Sequence, residues 1–165
     1  MSNDYDLIVI GGGSGGLAAA QRAAEYGAKV ALIEGARLGG TCVNVGCVPK
    51  KLMWSAAELA GEMHDARGYG FDVTVNGHDW AGLKRARDAY VERLNGIYER
   101  NLDKRGVSLI RGWGRLSGPN EVSVEGRTLR AERVLLAMGG RPQRPAVPGA
   151  DLGIDSDGFF ALAER

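Results

Sequence analysis

The chain is poor in the residues that build covalent and metal scaffolds. It has only two cysteines and two histidines among 165 residues. Two thiols cannot make the disulfide framework of a small secreted domain. His64 and His78 stand in no ligand-like spacing, and two sulfurs are too few ligands, so no metal is expected. Each histidine reads as an ordinary surface or partly packed residue. Neither sign of charge dominates: 21 basic against 20 acidic residues leave a net charge of +1. That offers no electrostatic footprint for nucleic acid or anionic membrane. No apolar run approaches the roughly 20 residues that span a bilayer. Met1 to Asp6 lack the basic start of a secretory signal. The expectation is a cytoplasmic protein, a setting in which a close cysteine pair is catalytic or metal-binding more often than a staple.

What is abundant is glycine, 26 residues clustered at turns, with no repeat and no low-complexity tail. Leu7 to Ile10 is a continuous apolar run ending in glycines, the pattern of a strand buried on both faces. An alanine-rich helix follows from Gly15 to Tyr26, stopped by Gly27. Val30 to Ile33 is a second buried strand, giving a βαβ unit. Another helix is expected from Cys42–Pro49 to about His64, with Pro49 tolerated in its first turn or at an irregularity. Asp79 can cap a long helix from Trp80 to about Lys104, with Leu83, Arg87, Tyr90, Leu94, Ile97 and Asn101 along one stripe. Strands are expected at Val107–Ile110, at Glu121–Val124 and Thr128–Ala131 as a hairpin around Gly126, and at Val134–Ala137. The proline-bearing stretch after Gly140 reads as a connection leaving the domain. The order predicts an α/β fold, a parallel sheet with flanking helices and a small inserted β-meander.

Two motifs carry chemistry. Gly11, Gly13 and Gly16 fit G-x-G-x-x-G between a strand and a helix. In that pattern the first glycine permits the turn, the second admits a pyrophosphate, and the third lets helix and strand pack. The helix start offers unpaired N–H groups to phosphate. Glu34 ends the second strand where an acidic residue binds ribose hydroxyls. A carboxylate there would repel a 2′-phosphate, so the loop suits FAD or NAD better than NADP.

The second motif is Gly39-Gly40-Thr41-Cys42-Val43-Asn44-Val45-Gly46-Cys47-Val48-Pro49-Lys50-Lys51. In an ideal helix, cysteines five apart have α-carbons on the order of 8 Å apart, beyond disulfide reach. A bond therefore needs a distorted turn, for which Gly46 and Pro49 supply the means. A helix start and nearby Lys50 would favour the attacking thiolate. A free-thiol pair and half of a metal site remain open on residue pattern alone.

These residues closely resemble the FAD-dependent pyridine nucleotide–disulfide oxidoreductases, and the resemblance covers essentially the whole chain. Pro49-Lys50-Lys51, Asp88-Ala89-Tyr90-Val91 through Leu94-Asn95-Gly96-Ile97-Tyr98, and Ser156-Asp157-Gly158-Phe159-Phe160 resemble the glutathione reductase branch of that family. The resemblance implies a Rossmann-like FAD-binding domain over residues 1–140 and a connection at 141–165 toward an NADPH domain. It implies that Ser14 and Gly15 contact the FAD pyrophosphate, with Gly11, Gly13 and Gly16 shaping the loop. Glu34 would bind the adenosine ribose, Gly114 would give adenine a backbone contact, and Thr41 would face the flavin. Cys47 would be the thiol nearest the flavin, Cys42 the interchange thiol, and Lys50 the tuner of flavin reduction. Ser14, Tyr90, Ile97 and Tyr98 would line the glutathione disulfide site, although helix pattern alone reads the tyrosines as core packing.

Three positions depart from the family pattern. Met138 replaces a common threonine, Trp113 threatens to crowd the adenine pocket, and Gln21 stands where some relatives direct arginine at glutathione. The family's chain also continues into an NADPH domain, a second FAD segment and a dimerisation domain, whose partner subunit gives the acid–base histidine of the homodimer. The expectation for these 165 residues alone is weakened FAD binding, an exposed sheet edge or apolar patch, and no NADPH-driven turnover. Other readings are a related reductase of trypanothione, dihydrolipoamide or mercuric type, a plain NAD-dependent dehydrogenase, and a non-catalytic flavin-binding remnant.

Overall fold

The computed structural model describes residues 4–164. Residues 1–3, part of the stretch that lacks a secretory start, and Arg165, the end of the expected connection, lie outside the described residues. Strand β1 (Tyr5–Ile10), helix α1 (Ser14–Glu25) and strand β2 (Val30–Glu34) form the expected βαβ unit. β2 pairs in parallel with β1, and β3 (Ser108–Arg111) pairs in parallel with β2. The predicted helix near the cysteines is two helices: α2 (Gly40–Val45) and α3 (Cys47–Asp65). Gly46 breaks them, with φ −148° and ψ −119°. Pro49 sits buried in the first turn of α3, where its missing N–H costs no helical bond. α4 (Trp80–Lys104) starts where expected, and the Asp79 carboxylate caps it by accepting from the Gly82 N–H at 2.8 Å.

The second half differs from its sequence pattern. Thr128–Ala131 and Val134–Ala137 are not two strands but parts of one, β6 (Arg127–Leu136). Its first part pairs antiparallel with β5 (Glu121–Val124), and from Ala131 on it runs parallel to β1. Asn120 marks the exchange of partners, its amide donating to the Ala131 and Glu132 carbonyls at 2.9 and 2.7 Å. A strand β4 (Arg115–Gly118), not foreseen, pairs with β5. The meander is therefore continuous with the parallel strands in one sheet of order β3-β2-β1-β6-β5-β4.

Alternate residues of the central strands feed two cores, because side chains point to opposite faces. Ile8, Ile10, Ala31 and Ile33 pack with Val122, Val124 and Leu129 of the meander region. Val9, Val30 and Leu32 pack with Leu17 and Ala20 of α1 and Leu102 of α4. The buried residues of α4 are Arg87, Val91 and Leu102, with Tyr98 partly buried beside Leu102, so its inward face is rotated from the predicted stripe. Tyr90, on that predicted stripe, is 42% exposed.

The stretch after Gly140 runs without strand or helix to a short 3₁₀ turn at Ala150–Leu152, then returns as helix α5 (Ser156–Ala161). Arg87, 3% exposed, holds it: Nη2 donates to the Phe160 carbonyl at 2.7 Å, and the guanidinium lies 5.6 Å from the Phe160 ring centre. Among the described residues no helix is long and apolar enough to cross a membrane.

Candidate functional site

The C-terminal ends of β1, β2 and β6 open into one cleft of about 850 Å³. Ligands of open α/β sheets bind outside the carboxyl ends of the strands, where neighbouring connections diverge. Here β1 lies between β2 and β6, and the chain leaves it through Gly11 into α1. Backbone bonds fix the rim: Gly11 N–H donates to the Ile33 carbonyl, Ala137 N–H to the Ile10 carbonyl and Gly39 N–H to the Gly12 carbonyl, each at 2.8 Å.

The glycines are spatial requirements. Gly11 has φ +108°, and a Cβ there would lie 2.3 Å from the Ala137 carbonyl oxygen. A Cβ at Gly16 would lie 1.8 Å from the Gly11 carbonyl oxygen. A Cβ at Gly13 would make an ordinary contact with Gly40, whereas one at Gly40 would fall 2.7 Å from the Gly13 α-carbon. The phosphate loop and the cysteine loop thus touch through glycines. Gly13, the N-cap of α1, carries no side chain to occupy the free N–H groups of the first turn. That bare helix start, open to the cleft, fits the pyrophosphate of a dinucleotide.

Glu34 ends β2 as expected and lines the cleft. Its carboxylate also braces the loop, accepting from the Gly12 N–H at 2.6 Å and the Ala36 N–H at 2.7 Å. Trp113 forms an adjoining wall, its indole laid against Gly35, where a Cβ would come within 2.5 Å of the ring. Met138 is exposed on the same rim. Gln21 points elsewhere, bonding the Leu17 carbonyl of its own helix at 3.0 Å.

The two cysteines enter the same cleft from consecutive helices, Cys42 from α2 and Cys47 at the start of α3. Both are free thiols, Cys47 exposed and Cys42 half-buried. The Cys47 thiol, and next the burial, push the Cys42 thiol above its ordinary pKa, while the Ser14 hydroxyl pulls the other way.

The cleft therefore gathers Gly11, Gly13, Ser14, Gly15, Glu34, Thr41, Cys42 and Cys47 among the residues singled out in the sequence. Gly16 is buried beneath it. Lys50 is exposed on α3 and Gly114 packs against Ile33 and Ile10; neither lines the cleft. Tyr90, Ile97 and Tyr98 stand on α4, also away from it. Neither His64, bonded to Asp65 at 2.9 Å, nor His78, beside Trp80, borders the thiols. Sequence reasoning missed the part played by Asn44. It lies inside the cysteine motif, four residues after Gly40, and a helical amide at that spacing can reach back to a carbonyl of the preceding turn.

At the carboxyl ends of the parallel strands, one cleft thus joins a bare phosphate-binding loop to a thiol pair. The sequence matches the pyridine nucleotide-disulphide oxidoreductase family over residues 5–164, and the chain belongs to that family. Two curated relatives narrow the comparison. A protein named glutathione reductase from Yarrowia lipolytica (strain CLIB 122 / E 150) is 56% identical over 172 residues, covering 96% of this chain and 37% of that protein. Another of the same name, from Schizosaccharomyces pombe (strain 972 / ATCC 24843), is 53% identical over 174 residues, covering 100% of this chain and 38% of that protein. The chain spans under two-fifths of the length of these relatives.

Proposed function

We propose that this chain is the FAD-binding, redox-disulfide portion of an NADPH-dependent glutathione-disulfide reductase. The observation that carries the reading is the single cleft shared by the bare helix start of α1 and the Cys42–Cys47 pair. Gly11, Gly13, Ser14 and Gly15 would hold the pyrophosphate, with Gly16 packing the loop from beneath, and Glu34 the ribose; an adenine contact from the Gly114 backbone rests on the family resemblance alone. Thr41 would flank the ring, with Cys47 nearest to it; a role for Lys50 beside the ring rests on the family resemblance alone. FAD bound there would supply the two-electron relay between nicotinamide and the disulfide.

The chain's own contribution is thiol–disulfide exchange. The Cys42 thiolate attacks one sulfur of glutathione disulfide, forming a mixed disulfide and expelling glutathione thiolate, which takes up a proton. The Cys47 thiolate then attacks the Cys42 sulfur, closing the intrachain disulfide and releasing the second glutathione thiolate. Two protein thiols are oxidised and one glutathione disulfide is reduced; electrons from NADPH reopen the pair. No residue of the cleft lining is a histidine, so the proton for the leaving thiol is assigned to the complete homodimer. In that protein Ser14, Tyr90, Ile97 and Tyr98 would border the glutathione site. Residues 1–140 would form the FAD unit, and 141–165 would lead toward the NADPH domain. The setting is cytoplasmic.

The test is the visible spectrum of the purified chain reconstituted with FAD. A flavin band, with a long-wavelength thiolate–flavin shoulder on anaerobic reduction that Cys47→Ser abolishes, is the expected result. A complete gene product that stays colourless with excess FAD overturns the reading. Kinetics of the complete gene product with glutathione, trypanothione, dihydrolipoamide and mercuric substrates separate the reductase types.

A further inference from the structure

The short helix that carries Cys42 is held from outside itself. α2 has six residues, too few to be stable alone. It begins with two left-handed glycines, Gly39 at φ +99° and Gly40 at φ +59°, and no side chain caps it. Two asparagine amides do the holding. Asn44, two residues after Cys42, donates to the Gly40 carbonyl at 2.9 Å and the Leu38 carbonyl at 3.0 Å. Asn95, on α4, donates to the same Leu38 carbonyl at 2.7 Å and to the Asn44 Oδ1 at 3.1 Å. Leu38 is 1% exposed in the core beneath. Asn95 thus ties both ends of the turn, the Leu38 carbonyl before α2 and Asn44 within it, to a 25-residue helix.

We propose that Asn95 is a positioning residue for the redox pair, its amide holding α2 so that Cys42 keeps its place beside Cys47 in the shared cleft. The inference deepens the function proposed above and rests on that reading. A reduced pair already held together loses little freedom on closing; a loosened α2 must be re-ordered each time the bond forms. Removing Asn95 therefore makes the intrachain disulfide easier to reduce.

The measurement is the equilibrium of the chain in glutathione redox buffers, read by alkylation and mass. In each exchange the Cys42–Cys47 bond forms and the glutathione S–S bond breaks. The two protein thiols lose two electrons, and two glutathione thiols take the protons. Asn95→Ala and the isosteric Asn95→Asp are expected to lower the equilibrium constant about tenfold, a shift of about 30 mV toward easier reduction. Asn120→Ala is the control: it deletes two similar bonds, to the Ala131 and Glu132 carbonyls, far from the thiols in the fold. A general loss of stability would move all three variants alike; the proposal requires the control to keep the wild-type constant. Asn95 variants that fold and stay within twofold of wild type overturn the inference while the parent reading stands. Loss of folding in both Asn95 variants, with the control folded, also overturns it, since Asn95 would then support the whole domain. A wild-type chain that forms no intrachain disulfide removes both.

Discussion

Gly16 faces the carbonyl of Gly11 so closely that a single added carbon would sit 1.8 Å from that oxygen. One step along, Gly15 has nothing within 4 Å of its missing Cβ. The two glycines of the same helix turn therefore answer to different demands. Gly16→Ala is expected to destabilise the fold by roughly 2–4 kcal/mol, because α1 must move off β1. Gly15→Ala should leave stability unchanged or raise it by up to about 1 kcal/mol through helix propensity. As Gly15 lines the cleft, its substitution should act on flavin affinity instead. Denaturant unfolding and flavin titration of both variants check the contrast.

Glu34 is tested by Glu34→Gln. The carboxylate accepts two backbone N–H bonds, from Gly12 and Ala36, whereas an amide can accept through one oxygen only. A loss of about 1–3 kcal/mol in stability is expected, together with weaker binding of ADP. Unfolding curves and ADP titrations read the two effects separately. Unchanged stability would mean that the two N–H groups find other acceptors.

Arg87 fastens α5. Its Nη2 reaches both the Phe160 carbonyl and the Asp88 carboxylate at 2.7 Å. Lysine lacks the planar fork, so Arg87→Lys should behave nearly as badly as Arg87→Met. The expected cost is about 2–4 kcal/mol. Limited proteolysis gives a local readout, with cleavage between residues 141 and 155 faster in both variants.

Asp88 gives the stability a dependence on acid. Burial alone would raise its pKa, but hydrogen bonds from Lys84 and Arg87 outweigh that and hold it below the usual value of 3.8. A depressed folded-state pKa means stability that is present above the unfolded value and lost as pH falls through the folded one. Stability should therefore decline on acidification below about pH 4, and Asp88→Asn should flatten part of that decline.

Cys42 gives the opposite window. Its raised pKa, caused first by the Cys47 thiol, contributes stability below the ordinary thiol value that is lost as pH rises through the folded one. It also lowers the thiolate fraction. Cys47→Ala removes the largest cause, so alkylation of Cys42 at pH 8 should speed up. A slower reaction would show that Cys47 activates its neighbour rather than restraining it.

The order β1-α1-β2, the glycine loop, the acidic end of β2 and the capped helix from Trp80 were all legible in the sequence. Each depends on neighbours a few residues apart: an apolar run, a capping carboxylate, glycines at fixed spacing. The break between α2 and α3 was legible only as a condition: a bond between the cysteines would need a distorted turn, and Gly46 could supply it, but the residue pattern alone read as one helix. What the sequence could not reveal depends on partners far along the chain. Residues 127–136 read as two strands because their pattern changes at Ala131, where β6 exchanges β5 for β1. Only the assembled sheet makes them one strand. The inward face of α4 is chosen by the core under Leu102 and by Phe160 against Arg87, so it is rotated from the stripe that helical periodicity indicated and shares Arg87 with it. The meeting of Asn95 with Leu38, 57 residues apart, has no local signature at all. Local chemistry selected the elements and the reactive residues; long-range packing decided which of them face one another, because hydrogen bonds and burial are settled only between surfaces that have already come together.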